Sequence, residues 1–396
     1  MKEVLIIAND LEIGGAEKAL LGFLEAIDTS QYHVDLFLLK QTGPWLSYLP
    51  ERINLLPEIK QYASLAVPLS VVLNKRCFDV LLGRIVGKMM ARRYVKKNSI
   101  TGINSVGIQY SFKYTKRYLP MVSDKKYDVV IGFSTPYYIP IEKANGKTRI
   151  AWIHTDYSRI DGDRIEEANN WNNYDKLAAV SESVRDRFLE IFPTLAEKVT
   201  VIENILPKQL IQKQAEEAVD LPYLSDDINL LSVGRFTDAK NFDHIPAICR
   251  LIKKSIPNIK WYIVGYGGDE GLIREKIEEY GMHDTVIILG KKENPYPYIK
   301  ACDLYVQPSR YEGKAITVKE AQMLGKPVVI TDYATAKSQL KDGIDGVIVP
   351  MDDAGCADGI IKVIKDKKLQ ELLSTNCLNG DFSDSSEINR IYELIL

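Results

Sequence analysis

Short apolar runs recur along this chain, and between them lie longer stretches whose apolar residues return every three or four positions. Val4–Ala8 is followed by a glycine turn and by the amphipathic run Ala16–Ile27. His33–Leu39, Val129–Phe133, Arg149–His154, Lys176–Val180 and Lys198–Ile202 continue the series. Short runs rich in β-branched residues suit strands of a parallel sheet buried on both faces. Their alternation with helical stretches predicts βαβ units and an α/β architecture.

The rhythm breaks near Asn204–Leu224. Pro207 ends the last run, and an acidic, polar stretch with Asp220 and Pro222 follows. The pattern then restarts at Ile228–Val233, Lys260–Val264, Thr285–Leu289, Leu304–Gln307, Pro327–Thr331 and Val347–Val349. A chain of 396 residues is long enough for two domains, each with its own core. The expected division is an N-terminal Rossmann-like domain over 1–205, a linker over 206–224 and a second Rossmann-like domain over 225–375. A helical tail over 376–396 completes it, free to return to the first domain.

The region 70–120 stands apart. Residues 75–117 hold eleven Lys or Arg and one acid, Asp79. Apolar residues interleave: Phe78, Val80, Leu81, Leu82, Ile85, Val86, Met89, Met90 and Tyr94. Their spacing predicts a helix with an apolar face and a basic one. Such a helix either lies on anionic lipid, where each basic residue contributes roughly 1 kcal/mol, or packs its apolar face into the core with its charges solvated. Elsewhere the charge is balanced: the formal net charge of −2 carries no bias toward nucleic acid.

Composition narrows the setting. Cys77, Cys249, Cys302, Cys356 and Cys377 lack metal or redox spacing and read as reduced thiols of a cytoplasmic protein. His33, His154, His244 and His283 are equally scattered, so no zinc site is expected. The N-terminal apolar run turns polar at Asn9, too soon for a signal peptide. No run of about 18 apolar residues exists to span a membrane, so any membrane contact is expected to be peripheral.

Three segments carry candidate chemistry. Gly14-Gly15 follows the first strand and precedes a helix, where glycines let a ligand approach the backbone and the helix N-terminus favours negative charge. The dinucleotide fingerprint G-x-G-x-x-G is missing there, and a tight turn is the plainer reading of the pair. Gly234-Arg235 ends the strand Ile228–Val233, with Lys240 and Asn241 shortly after. Ligands of doubly wound sheets bind outside the carboxyl ends of the strands. An Arg fork and a Lys point charge there suit a diphosphate; two solvated basic residues explain them equally. The third segment, Pro308-Ser309-Arg310-Tyr311-Glu312-Gly313-Lys314-Ala315-Ile316-Thr317-Val318-Lys319-Glu320-Ala321, follows a strand and opens a helix. Glu312 falls in the loop and Glu320 about one turn inside the helix. A loop carboxylate accepts hydrogen bonds from sugar hydroxyls, and one inside the helix can take a ribose diol; as a bare pair they would be two solvated acids.

Taken in order, these elements resemble the retaining glycosyltransferases of the GT-B fold, in the large class known as family 4. Gly265-Tyr266-Gly267, Gly325-Lys326-Pro327-Val328-Val329, Asp345-Gly346-Val347-Ile348-Val349-Pro350 and Gly14-Gly15-Ala16-Glu17 extend the resemblance over nearly the whole chain. It implies two Rossmann-like doubly wound domains facing a central cleft. Arg235 and Lys240 would hold the diphosphate of the donor and Glu312 the hydroxyls of its sugar. The backbone of Gly313, Lys314, Ala315, Ile316 and Thr317 would line sugar and phosphates, and Glu320 would hold the ribose. Gly14, Gly15, Gly234 and Gly265 would bring backbone close to the donor. His154, in Trp152-Ile153-His154-Thr155-Asp156, matches the family's histidine on the N-terminal side of the sugar, though a histidine at a strand end is otherwise often structural. Lys314 departs from the family, where an aromatic or aliphatic residue is common, and the basic 57–125 region is longer than a minimal member needs.

The reaction so implied breaks the bond between an anomeric carbon and a nucleoside diphosphate. Cations and N–H groups aimed at the leaving phosphate lower that barrier most, so no metal or other cofactor is expected. Asp161-Gly162-Asp163 spells D-x-D, but no apolar run leads into it. The expected partners are a nucleotide-sugar donor, UDP-sugars favoured, a glycan or lipid-linked saccharide acceptor, and an anionic membrane surface, with no nucleic acid. Surface polysaccharide synthesis, in the cytoplasm or at the inner face of the membrane, is the expected setting. Two other readings stand beside it. A UDP-sugar epimerase of the same fold would turn over UDP-GlcNAc without acceptor. A non-catalytic glycosyltransferase-like partner would be expected to lose Glu312, Glu320, Arg235 or Lys240, all present here.

Overall fold

The computed structural model describes residues 1–100, 105–133, 138–154, 157, 162–218, 226–312 and 314–396. The chain forms two units, one of Met1–Pro207 with Asp384–Leu396 and one of Lys208–Ser383.

The first unit holds a seven-stranded sheet of β1 (Lys2–Ala8), β2 (Tyr32–Leu38), β3 (Asn54–Leu55), β4 (Lys126–Gly132), β5 (Asn145–Ile153), β6 (Lys176–Ala179) and β7 (Val199–Val201), in the order β3-β2-β1-β4-β5-β6-β7. The pairings are parallel throughout. Val4, Leu5, Ile6 and Ile7 of β1 are fully buried, as a central parallel strand covered on both faces requires. The strand order reverses between β1 and β4, which opens a crevice at their carboxyl ends.

The second unit repeats the plan. Its six strands are β8 (Ile228–Val233), β9 (Ile259–Val264), β10 (Val286–Gly290), β11 (Leu304–Gln307), β12 (Val328–Thr331) and β13 (Val347–Val349), in the parallel order β10-β9-β8-β11-β12-β13. Here the reversal falls between β8 and β11. The helices Ile245–Lys253 and Asp353–Lys365 close one side of the core through Ile248, Ile252, Ile360 and Val363.

Each apolar run read from the sequence became a strand; only β3, a two-residue edge strand, gave no sequence signal. The boundaries differ in two places. Residues 206–224, read as a linker, contain the helix Lys208–Ala215, whose Leu210, Ile211 and Ala215 are buried in the second unit, so Pro207 precedes a helix as well as ending a strand. Asp220 and Pro222 lie outside the described residues. The 376–396 tail is not one element: the helix Lys367–Asn379 runs into it, and a separate helix, Glu387–Ile395, belongs to the first unit. There Tyr392 stacks on Tyr32 with ring centroids 5.0 Å apart, and its hydroxyl accepts the Asp28 backbone N–H at 2.8 Å.

Within the 70–120 region the helices Phe78–Lys97 and Val106–Thr115 pack face to face. The apolar residues of the first helix, read as one face, divide between two. Val80, Gly83, Gly87 and Ala91 are its buried residues, while Phe78, Leu82, Ile85 and Met89 are exposed. Close packing selects the small residues: a Cβ on Gly87 would stand 2.6 Å from the Tyr110 carbonyl oxygen. All five cysteines are buried and unbridged. Among the described residues, no helix is long and apolar enough to cross a membrane.

The Tyr392 contacts give a test. Tyr392→Phe keeps the stack and loses the hydrogen bond, about 1 kcal/mol. Tyr392→Ala loses both, about 1–3 kcal/mol in all. Amide hydrogen exchange in the 387–395 helix should speed up about fivefold in the first variant and further in the second.

Candidate active site

Loops from the two central strands of the second unit meet at the point where the strand order reverses. After β8 the chain runs through Gly234, Arg235 and a turn, Asp238–Lys240, ended by Asn241 in the left-handed conformation with φ 58°. After β11 it runs through Pro308–Glu312 to the helix Ile316–Met323. The Lys240 ammonium and the Glu312 carboxylate join the two loops at 2.5 Å, both largely buried.

A hydrogen-bond chain holds Glu312 from behind. Ser309 Oγ donates to Glu312 Oε1 at 2.7 Å, and Gln307 Nε2 donates to Ser309 Oγ at 3.0 Å. Gln307 Oε1 in turn accepts from the hydroxyls of Tyr305 at 2.9 Å and Thr317 at 3.3 Å. Thr335 Oγ1 fastens the Glu312 carbonyl at 2.7 Å. Gln307 and Ser309 are fully buried, so this row is paired inside low dielectric, where its bonds are strong. Burial and the charge of nearby Glu312 push the Tyr333 phenol up, out of reach of ionisation near neutrality.

Arg310, inside the segment singled out, carries a contact that the sequence did not reveal. Its guanidinium donates to both Asp243 oxygens, at 3.2 and 2.9 Å, and its backbone N–H donates to the Ala239 carbonyl at 2.9 Å. This fork ties the β11 loop to the turn that carries Lys240. Asp243, three residues after Lys240, is the second residue missed.

The remaining candidates fall in distinct surroundings. Arg235 is exposed and, among the described residues, has no hydrogen-bond or ion-pair partner. Gly234 lies under the Lys240 side chain, with room for a Cβ only 3.3 Å from it. Gly265 has φ 155°, and a Cβ there would stand 1.8 Å from the Gly234 carbonyl oxygen, so this glycine lets two strand-end loops touch. Glu320 is buried, about one turn into its helix, and accepts the Tyr296 hydroxyl at 3.0 Å. Burial beside that carboxylate raises Tyr296 well above the usual phenol range. Gly313 lies outside the described residues.

Two of the backbone N–H groups between 313 and 317 expected to face an anion are engaged within the chain. The Ala315 N–H donates to Gln339 Oε1 at 2.8 Å, and the Ile316 N–H to the Lys314 carbonyl at 3.1 Å. Lys314 is exposed.

Gly14, Gly15 and His154 belong to the first unit. Gly14 caps the helix Gly15–Ala26, and the Glu17 carboxylate folds over it, 2.1 Å from where a Cβ would be; Gly15 has nothing within 4 Å of such a position. Glu17 is raised above the ordinary carboxylate range, chiefly by burial. His154 leaves the end of β5 with its ring 4.8 Å from that of Phe133, and its buried Nε2 has no hydrogen-bond partner among the described residues. Burial lowers its pKa from 6.5 to about 4. Of the D-x-D, Asp161 lies outside the described residues. Asp163 caps the helix Arg164–Asn172 and accepts the Tyr110 hydroxyl at 2.9 Å, a structural engagement.

A cavity of about 430 Å³ opens at the carboxyl ends of β1 and β2, beside Asn9, Asp10 and Leu39. One face of the 106–115 helix roofs it with Ile108, Gln109, Phe112 and Lys113. Glu167, also on its wall, is bound by Gln109 at 2.6 Å and Arg164 at 2.9 Å. Aromatic faces from Tyr62, Tyr138 and Tyr157 complete a lining suited to a hydroxyl-rich ligand with apolar edges.

Residues 214–378 match the family model described as Glycosyl transferases group 1. An uncharacterized glycosyltransferase of Methanocaldococcus jannaschii, MJ1059, is 26% identical over 152 residues, 38% of this chain and 37% of that protein. The chain spans about half the length or less of the first curated relatives it matches. An Escherichia coli protein named UDP-Gal:alpha-D-GlcNAc-diphosphoundecaprenol alpha-1,3-galactosyltransferase is 21% identical over 407 residues, covering 97% of this chain and 94% of its own. The structure of S. aureus TarM G117R in complex with Fondaparinux, alpha-GlcNAc-glycerol and UDP superposes with a TM-score of 0.59 at 14% identity, over 100% of both chains. That likeness shows the fold, GT-B.

His154 supplies a pH test. Its native pKa lies below the unfolded value, so between about 4 and 6.5 the native state binds fewer protons and stability rises with pH. The ring-proton resonance of His154 should titrate near 4 and not near 6.5. In His154→Gln this contribution is gone, so the stability advantage of the native histidine should shrink as pH falls through that window.

Proposed function

We propose that this chain, whose second unit carries a glycosyl transferases group 1 domain, is a retaining glycosyltransferase. It moves a hexose or N-acetylhexosamine from a UDP-sugar to a saccharide or lipid-linked saccharide, in polysaccharide synthesis. The observation that carries the reading is the Lys240–Glu312 contact across the strand-order reversal, with exposed Arg235 on the adjoining loop.

In this reading Arg235 and Lys240 take the diphosphate, and they supply the positive potential that stabilises the leaving group as the anomeric bond breaks. Glu312 then exchanges its bond with Lys240 for bonds to donor hydroxyls. Glu320, held by Tyr296, meets the ribose. Thr317, in the first turn of its helix, adds N–H character near the phosphates. The charge of the leaving group is met by side-chain cations, without a metal ion. Retention in this reading fits attack of the acceptor hydroxyl on the face the diphosphate leaves, its proton passing to the departing phosphate oxygen. The cavity in the first unit holds the acceptor, and its aromatic and carboxylate lining suits a pyranose. The names of the Escherichia coli relative and of the S. aureus complex support a UDP donor and a lipid-linked or glycan acceptor.

The test is nucleotide release from a panel of UDP- and GDP-sugars, with and without a membrane lipid extract. Release from one donor should fall about 10²–10³-fold in Arg235→Ala and Lys240→Ala. Glu320→Ala should act mainly through KM. No turnover or binding of any donor would move the reading to a non-catalytic partner, and conversion of UDP-GlcNAc without acceptor would move it to an epimerase.

Glu312→Gln separates the roles of the pair. It removes a negative charge beside the diphosphate, so UDP alone should bind at least as tightly while transfer falls about 10²-fold. Arg310→Ala should lower kcat by loosening both loops, and Arg310→Lys should restore little, because a single ammonium cannot reproduce the fork to Asp243.

A further inference from the structure

The helix Phe78–Lys97 carries apolar residues on two opposite sides. Its inner side is narrow. Val80, Gly83, Gly87 and Ala91 are buried, and Cβ atoms on Gly83 and Gly87 would stand 2.7 Å and 2.6 Å from backbone oxygens of the 106–115 helix. Only this side can make so close an approach, so the rotation of the helix about its axis is fixed.

The outer side is thereby committed to solvent. Phe78 is 61% exposed, Leu82 52%, Ile85 41% and Met89 64%. Their spacing of i, i+4, i+7 and i+11 sets them in one line along the helix. The same line continues into Arg92 and Lys96, with Arg93 and Lys97 beside it, all exposed. Exposed Lys88 flanks Met89, and Leu73, 50% exposed, precedes the stripe. Asp79 is the single acid between residues 75 and 117. Monomeric proteins rarely present a continuous apolar stripe of this kind unless something covers it.

Charge selects the occupant. A second copy of the helix is a poor match: parallel pairing would stack the two basic ends, and antiparallel pairing would set each basic end against the other's apolar stripe. An anionic bilayer meets both halves at once, with acyl chains receiving the large apolar residues and headgroups receiving the cations. We infer that the outward face of the 78–97 helix seats this protein on the surface of an anionic lipid bilayer. The inference stands apart from the donor chemistry, since none of these residues belongs to the site in the second unit.

Full-length protein would be sedimented with vesicles of phosphatidylcholine alone, or of phosphatidylcholine mixed with phosphatidylglycerol. Wild type should sediment with the mixed vesicles, more weakly as salt rises, and should ignore the neutral ones. Replacing Arg92, Arg93, Lys96 and Lys97 with Ser should weaken binding at least ~10-fold. The triple variant Phe78→Ser, Leu82→Ser and Met89→Ser keeps every charge and should weaken binding comparably. Met89→Trp should shift its emission to the blue on mixed vesicles and be quenched by brominated acyl chains. All substituted positions are exposed, and circular dichroism should confirm unchanged helix content. Three outcomes would overturn the inference: no sedimentation of wild type with mixed vesicles, sedimentation of the triple variant equal to wild type, or a dimer in solution that the triple variant dissolves. Nucleotide release from a soluble donor should be the same in both multiple variants, so failure here leaves the donor reading untouched.

Discussion

The order of strands in each sheet governs what the loops can do. Where neighbouring parallel strands send their right-handed crossovers to opposite faces of the sheet, the chain segments at their carboxyl ends part and leave a crevice. In the second unit this happens between β8 and β11, so the loop after one supplies Lys240 and the loop after the other supplies Glu312. In the first unit it happens between β1 and β4, beside which the cavity opens. Sheet topology thus brings together residues 72 positions apart, and the buried row from Tyr305 through Gln307 and Ser309 fixes the exact posture of the carboxylate.

Electrostatic pairing in the second unit is layered. Arg310 and Asp243 satisfy each other and serve as a fastening. Lys240 and Glu312 also satisfy each other, but each holds a partner of the kind that the proposed substrate would replace. Arg235 has no such partner among the described residues. The pairing with Glu312 spares Lys240 the desolvation cost of an isolated buried charge.

Much of this was legible in the chain. Runs such as Ile228–Val233 and Leu304–Gln307 match the strands residue for residue, because strands buried on both faces leave continuous apolar runs. Glu312, Glu320, Arg235 and Lys240 were visible as motif residues. Their pairing was not, since Lys240 contacts Glu312 and Glu320 contacts Tyr296 only through the fold. The helix Lys208–Ala215 was read as linker although Leu210, Ile211 and Ala215 recur at helical spacing, because Pro207 was taken only as a terminator. The facing of the 78–97 helix was hidden for a different reason. Periodicity marks apolar faces, and this helix has two; only the contact distance at Gly83 and Gly87 decides which one packs.

The helix Glu387–Ile395 belongs, with the 384–396 segment, to a unit whose main part ends at Pro207. During synthesis the ribosome delivers the second unit between these two parts. The later unit therefore has its whole sequence available while the earlier one still lacks Tyr392, the residue that stacks on Tyr32 and caps Asp28. Completion of the first unit thus waits on the end of the chain: until the 384–396 segment emerges, the patch around Tyr32 and Asp28 stays uncovered. A truncated product would carry that uncovered patch as a mark of its incompleteness.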